Sequence, residues 1–188
     1  MDTKALDRFL TDIERRAFKI AMLGVQNDQV ALDMVQEAMM RLAEKYADRS
    51  PDEWPMLFHR ILQNAILDHH RRQKVRRAWI SLFGDMKAAH EGDDSAEEGP
   101  ELDMPDDESA QPDVQVARQQ LREQLDSAIA ALPVRQQQAF LLRYWEGLDI
   151  AQTAQAMGCS EGSVKTHCSR AVKALSGSLA FLRQDLEN

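Results

Sequence analysis

The sequence predicts an all-α protein of two small helical domains joined by a flexible acidic linker. Three observations carry that expectation. Only 6% of the 188 residues are aromatic, β-branched runs are few, and Leu, Ala, Gln, Arg and Glu abound, which favours helix over sheet. Apolar residues recur at helical spacing on both sides of the chain's middle. The middle itself, from Gly84 to Asp113, holds Gly92, Gly99, Pro100, Pro105 and Pro112 and shows no apolar period.

In the first domain, residues 1–83, Leu6, Phe9, Leu10, Ile13, Ala17, Ile20 and Ala21 mark the buried stripe of one helix, and Leu32, Val35, Met39 and Leu42 that of the next. A third helix begins near Ser50-Pro51-Asp52-Glu53, a run rich in N-terminal signals, and continues through Leu57, Phe58, Ile61, Leu62, Ala65 and Ile66 into a basic end. Pro55 argues for a start nearer Asp52 than Ser50, since a proline deep in a helix costs ~3 kcal/mol. Beyond the basic end, the spacing of Trp79, Leu82 and Phe83 suits a short amphipathic element packed on the domain, the alternative being aromatic stacking on unpaired bases.

The net charge of -8 looks wrong for a nucleic-acid binder until it is divided along the chain. Residues 1–83 carry 14 Lys+Arg against 12 Asp+Glu, residues 84–113 carry 1 against 12, and residues 114–188 carry 8 against 7. One segment supplies all of the acidity and reads as a disordered linker, with an r.m.s. span of roughly 30 Å that carboxylate repulsion would stretch. The two domains are expected to be tethered but separable.

The second domain, residues 114–188, opens with a stripe of Val114, Leu121, Leu125, Ile129 and Leu132. Pro133 interrupts, Phe140, Leu141, Tyr144 and Trp145 belong to the next helix, and Gly147 stops it. Asp149 can cap a short helix through Met157, Gly158 ends that helix, and Ser160 caps another running to about Leu175. Two helices joined by Gly-Cys-Ser form a helix-turn-helix pattern: Ala154 is small where the helices cross, Gly158 permits a positive φ, and Val164 packs inward. The outward residues of the second helix are then Ser163, Lys165, Thr166, Ser169, Arg170 and Lys173, donors suited to phosphates and major-groove base edges. A plain helical hairpin with a solvated polar face is the alternative.

Several classes are excluded. No apolar stretch reaches the ~20 residues of a membrane span, and Met1-Asp2-Thr3-Lys4 does not open a secretion signal, so a cytoplasmic protein without membrane insertion is expected. Cys159 and Cys168 are too few for a zinc knot and read as reduced packing residues. His69 and His70 point in different directions on a helix, with no carboxylate-histidine set around them, and read as polar surface near DNA. No paired carboxylates, nucleophile-base set or glycine-rich phosphate loop is present, so no catalytic residue, metal or cofactor is expected.

The run from Leu132 to Leu148 (LPVRQQQAFLLRYWEGL), followed by Gly158-Cys159-Ser160-Glu161-Gly162-Ser163-Val164-Lys165-Thr166, closely resembles the C-terminal domain of extracytoplasmic-function sigma factors, which reads the minus-35 promoter element. The first half matches independently. Asp33-Met34-Val35-Gln36-Glu37-Ala38 resembles the family's polymerase-binding helix, and Arg60-Ile61-Leu62-Gln63-Asn64 with Asp68 and Arg71-Arg72 resembles its minus-10 helix. One departure stands out: the family commonly has Trp-Leu where this chain has Leu57-Phe58, with Trp54 about a turn earlier.

The resemblance implies an alternative sigma factor that binds core RNA polymerase and directs initiation at particular promoters. On helical geometry Val35, Met39 and Leu42 face inward and Asp33, Gln36, Glu37 and Arg41 outward. The resemblance implies that this outer face docks on the polymerase clamp, although a merely solvated face has the same pattern. It assigns Asn64, Asp68, Arg71, Arg72, Lys74, Arg76 and Arg77 to minus-10 recognition and melting, where five positive charges in seven residues suit a bent phosphate backbone. An amide such as Asn64 reads a base edge or satisfies the local backbone, and both readings stand.

The resemblance further implies control by an anti-sigma partner, often membrane-anchored, and a linker that threads the polymerase's nucleic-acid channels, where its carboxylates would mimic an RNA backbone. A solubilising spacer is the alternative for the linker. Two competing functions remain: an ordinary regulator, which would need a sensor or receiver domain, and an adaptor that binds polymerase without reading DNA.

Overall fold

The computed structural model describes residues 3–83 and 112–178, and among these there is no strand. The first half is a bundle of α1 (Thr3–Val25), α2 (Asp28–Tyr46) and α3 (Trp54–Phe83). The second half comprises α4 (Pro112–Ala130), α5 (Val134–Phe140), α6 (Ile150–Met157) and α7 (Glu161–Ser178). The expected linker lies outside the described residues apart from Pro112 and Asp113, which open α4. No helix among the described residues is long and apolar enough to cross a membrane.

Local signals set most boundaries. Asn27 caps α2 by accepting a hydrogen bond from the Val30 amide at 2.9 Å. A 3-10 turn, Pro51–Glu53, leads into α3; Glu53 reaches back to the Ser50 amide at 3.2 Å, completing a capping box. Pro55 therefore falls in the first turn of α3, where its missing N–H is harmless. Trp54 takes over the packing expected of a later aromatic. It is buried, donates to the Tyr46 carbonyl at 3.1 Å, and with Phe58 flanks Phe9 at centroid separations of 5.9 and 6.3 Å.

The apolar stripes of α1 and α2 meet through Ile13, Ala17, Ile20, Ala31, Val35, Ala38 and Leu42, with Phe58, Leu62 and Ile66 of α3 closing the core. Leu32 departs from its expected place. It is 37% exposed because it stands at the rim of a hollow of about 450 Å³ between α1 and α2, lined also by Phe18 and Val35 and edged by Glu14 and Asp28.

In the second half the helix after Pro133 does not run regularly to Gly147. Its last turn, Leu141–Trp145, is a π turn, with the Glu146 amide bonded to the Leu141 carbonyl at 3.0 Å. Gly147, at φ +71°, then ends it, and Arg143 holds the Leu148 carbonyl.

The two halves are packed together in this structure. One contiguous apolar cluster joins Leu23, Val25, Trp54 and Phe58 with Ile129, Leu132, Leu141, Ala171 and Leu175. Placing Ile129, Leu132, Leu141, Ala171 and Leu175 against the first bundle takes their apolar surface out of water.

Candidate nucleic-acid and polymerase interfaces

The helix-turn-helix is built as its residues require. Asp149 accepts from the Gln152 amide at 2.7 Å while the Gln152 side chain returns to the Asp149 amide at 2.9 Å, a reciprocal cap on α6. Gly158 ends α6 at φ +61°, ψ +42°. Ser160 starts α7 by accepting from the Ser163 amide at 3.2 Å. Ala154 and Val164 are buried at the crossing, with Cys168 beneath them. Burial pushes the thiols of Cys159 and Cys168 above their ordinary range, so both stay protonated packing groups.

The recognition residues share the open face of α7. Lys165, Thr166, Ser169, Arg170 and Lys173 are exposed and Ser163 is half-buried. Two hydroxyls have local partners: Thr166 donates to the Gly162 carbonyl at 2.9 Å, and Ser163 lies 2.9 Å from the Ser160 hydroxyl. Each keeps lone pairs that can accept from a base, and only donation by Thr166 would require giving up its bond to Gly162. His167 lies half-buried between them; burial, then Arg135 and Arg170, push its pKa below the ordinary value, so α7 carries a neutral imidazole at pH 7.

Along α3 the side chains of Asn64, Asp68, Arg71 and Arg72 form an exposed stripe that continues through Lys74, Arg76 and Arg77. Asp68 pairs with Arg71 at 3.1 Å, an exposed contact that orders the cation at little gain in stability. His69 bonds to Gln73 at 2.8 Å, and burial followed by His70 and Arg72 lowers its pKa. Trp79 lies within α3, which runs on as one helix to Phe83 instead of giving way to a separate short element, and is 61% exposed. The side chains of Leu82 and Phe83 lie outside the described residues.

The outer face of α2 presents Asp33, Gln36, Glu37 and Arg41 to solvent. Gln29 donates to Asp33 at 3.1 Å, and Glu37 pairs with Arg41 at 2.5 Å one turn on.

Between the halves lies a polar seam that the sequence did not disclose. His59, wholly buried on α3, hydrogen-bonds through Nε2 to Glu146 Oε2 at 3.1 Å, and Arg16 approaches the same oxygen at 3.7 Å. Gln137 donates to the carbonyls of Leu23 at 2.9 Å and Ile129 at 3.0 Å, and Gln138 to that of Gln63 at 3.3 Å. Lys19 of α1 pairs with Asp126 of α4, whose carboxyl is raised above its ordinary pKa because burial outweighs the ammonium. His59 Nδ1, both amide atoms of Gln63 and Glu146 Oε1 are buried without a hydrogen-bond partner among the described residues. Atoms left this way cost on the order of 1–3 kcal/mol each. The signal available in the sequence was the interruption of the Phe58-Leu62-Ile66 stripe by His59 and Gln63 one position on.

Comparison with known proteins identifies the family of both halves. A family model described as Sigma-70 region 2 matches residues 6–76, and one described as Sigma-70, region 4 matches residues 122–175. The ECF RNA polymerase sigma factor SigM of Mycobacterium tuberculosis is 30% identical over 96% of this chain and 80% of its own length. The RNA polymerase sigma factor SigV of Bacillus subtilis is 28% identical over 87% of this chain and 84% of its own. Among solved structures, the sigma factor RpoE of Bartonella quintana, crystallised with the anti-sigma factor NepR, superposes with a TM-score of 0.62 at 19% identity, covering 95% of this chain and 98% of its own, a likeness of fold.

Proposed function

We propose a residue-level division of labour from one premise: this chain belongs to the extracytoplasmic-function sigma factors, which bind core RNA polymerase and direct promoter-specific transcription initiation. Residues 1–83 form the polymerase-binding and minus-10 unit, residues 84–113 the linker, and residues 114–188 the minus-35 unit. Asp33, Gln36, Glu37 and Arg41 dock on the polymerase clamp, where a carboxylate and an amide suit arginine partners. Asn64, Asp68, Arg71, Arg72, Lys74, Arg76 and Arg77 engage the minus-10 element as it melts. Ser163, Lys165, Thr166, Ser169, Arg170 and Lys173 engage the minus-35 element.

The observation that supports this reading best is the coexistence of a capped helix-turn-helix exposing Lys165 and Arg170 with a second, separate basic helix face on α3. An ordinary regulator needs only the first. Polymerase supplies catalysis and its metal, so the chain needs no catalytic group of its own, and the site of action is the cytoplasm. An anti-sigma factor, often membrane-anchored in this family, is the expected regulator; the likeness to a sigma factor crystallised with NepR supports it.

The test is in vitro transcription with core polymerase on a fragmented genomic library, comparing the protein with its Lys165→Ala/Arg170→Ala variant. Discrete start sites lost in the variant are expected. DNA binding without any start site would favour an ordinary regulator, and starts retained in the variant an adaptor that does not read DNA.

A further inference from the structure

We propose that Trp79, with Val75 one turn before it, forms an apolar step on the DNA-facing side of α3 against which an unpaired base of promoter DNA stacks. The inference rests on the promoter-reading function above and names a contact that this function does not assign. Every residue from Arg71 to Trp79 is exposed, so this end of α3 is open to solvent all round. Val75 is 56% exposed and Trp79 61%, and neither belongs to an apolar cluster of the described residues. A single exposed apolar residue needs no explanation, but the placement of this pair does.

Helical phase puts the pair on the side assigned to DNA. At about 100° per residue, Asp68, Arg71, Arg72, Val75 and Trp79 all fall within about 80° of Asn64, while Lys74 and Arg76 lie on either side of the pair. At ~1.5 Å per residue Trp79 stands roughly 22 Å beyond Asn64, the length of about six nucleotides in a stacked strand. The stripe thus changes character along its length, from amide and carboxylate through guanidinium to aromatic.

That setting selects a nucleobase. A flat indole flanked by Arg71, Arg72, Lys74 and Arg76 combines a π face with phosphate-binding cations, the make-up of a single-strand platform. In paired DNA the faces of the bases are covered by their neighbours and only their edges reach the grooves. The face of the indole therefore finds its match in a base that has left the stack. A protein partner would need carboxylates around an apolar contact, and the experiment separates that case. Trp79 lies three positions past residue 76, where the region 2 match ends, so the step is a feature of this chain beyond the shared frame.

The experiment uses holoenzyme assembled on core polymerase and a promoter fragment taken from the start sites mapped above. The fragment is supplied fully paired at low temperature, or pre-opened by mismatches across the minus-10 element with 2-aminopurine at successive positions of the unpaired strand. Trp79→Leu and Trp79→Ala are expected to bind the pre-opened fragment about tenfold more weakly than wild type, as loss of one stacked base requires, and Trp79→Tyr to stay within about twofold. Binding of the paired fragment and of core polymerase should be unchanged, and 2-aminopurine at one position should be quenched by the wild type and bright in Trp79→Leu. Equal binding of the pre-opened fragment by Trp79→Leu and wild type would overturn the proposal. An equal loss on the paired fragment would do the same, as would a loss of core polymerase binding, the mark of a protein contact. Absence of start sites with the wild type would instead bring down the sigma-factor reading, and this inference with it.

Discussion

Arg135 donates from Nη1 to the carbonyl of Met157 at 2.9 Å, tying the first turn of α5 to the last turn of α6 immediately ahead of Gly158. The same nitrogen lies 3.4 Å from Gln138 Oε1. The helix-turn-helix is thus fastened to its support by a charged donor on a carbonyl of the α6 end, whose Ala154 and Gln155 carbonyls are held by the Gly158 and Cys159 amides. Arg135→Ala should lower unfolding free energy by roughly 2 kcal/mol. Arg135→Lys should lie between, since an ammonium lacks the planar fork. Chemical denaturation with a common slope is the measurement.

Gly158 has nothing within 4 Å of where a Cβ would stand, so the cost of substitution there is purely conformational. Gly158→Ala should destabilise by about 1 kcal/mol through the left-handed backbone alone, and Gly158→Asn by less. Thermal melts of the three proteins would distinguish this from a steric effect, which would rank Asn below Ala.

Lys165→Ala and Arg170→Ala remove exposed charges that support no buried structure. The melting midpoint and the affinity for core polymerase should be unchanged, while the salt dependence of DNA binding should fall by about 1 in slope for each phosphate no longer neutralised. Fluorescence anisotropy across a salt series reads this directly.

His167 predicts a pH effect of definite sign. Its folded pKa lies below its ordinary 6.5, so the unfolded chain binds more protons in the window between the two values. Stability should therefore fall as pH drops below about 6.5 and level off beneath the folded value. His69 acts in the same direction. The acid-side drop in melting midpoint should be smaller in His167→Gln, and DNA affinity of the wild type should rise over the same range as α7 gains charge.

Removing Glu146 should loosen the closed form, because His59 and Arg16 both lose their shared partner. Glu146→Ala should show a larger radius of gyration in small-angle scattering. Unchanged dimensions would mean that Glu146 acts only locally.

Sequence alone resolved what local chemistry determines. The caps at Asp149 and Ser160, the stops at Gly147 and Gly158, and the inward Val164 are short-range choices, each written within four residues of its effect. The outward face of α7 followed from those positions by helical phase. What escaped was non-local. His59, Gln63, Gln137 and Gln138 are polar, and binary patterning places polar residues outside; the packing of one half on the other, across more than seventy positions of sequence, buries them. Leu32 fails in the opposite sense, an apolar residue on a helical stripe that the neighbouring helix does not cover.

The π turn at Leu141–Trp145 gives the seam a dependence on chain length as well as on chemistry. A π turn is an α-helix holding one extra residue, and each residue in a regular helix advances the side chains by about 100°. Deleting a single residue from this turn would let the helix relax to regular phase and swing Glu146 by about that angle away from His59, with every side chain of the seam still present. The His59–Glu146 contact is therefore a matter of phase: a one-residue change in count, conservative by any measure of composition, would break it while leaving the contacts of Gln137, Gln138 and Asp126, which precede the turn, in place.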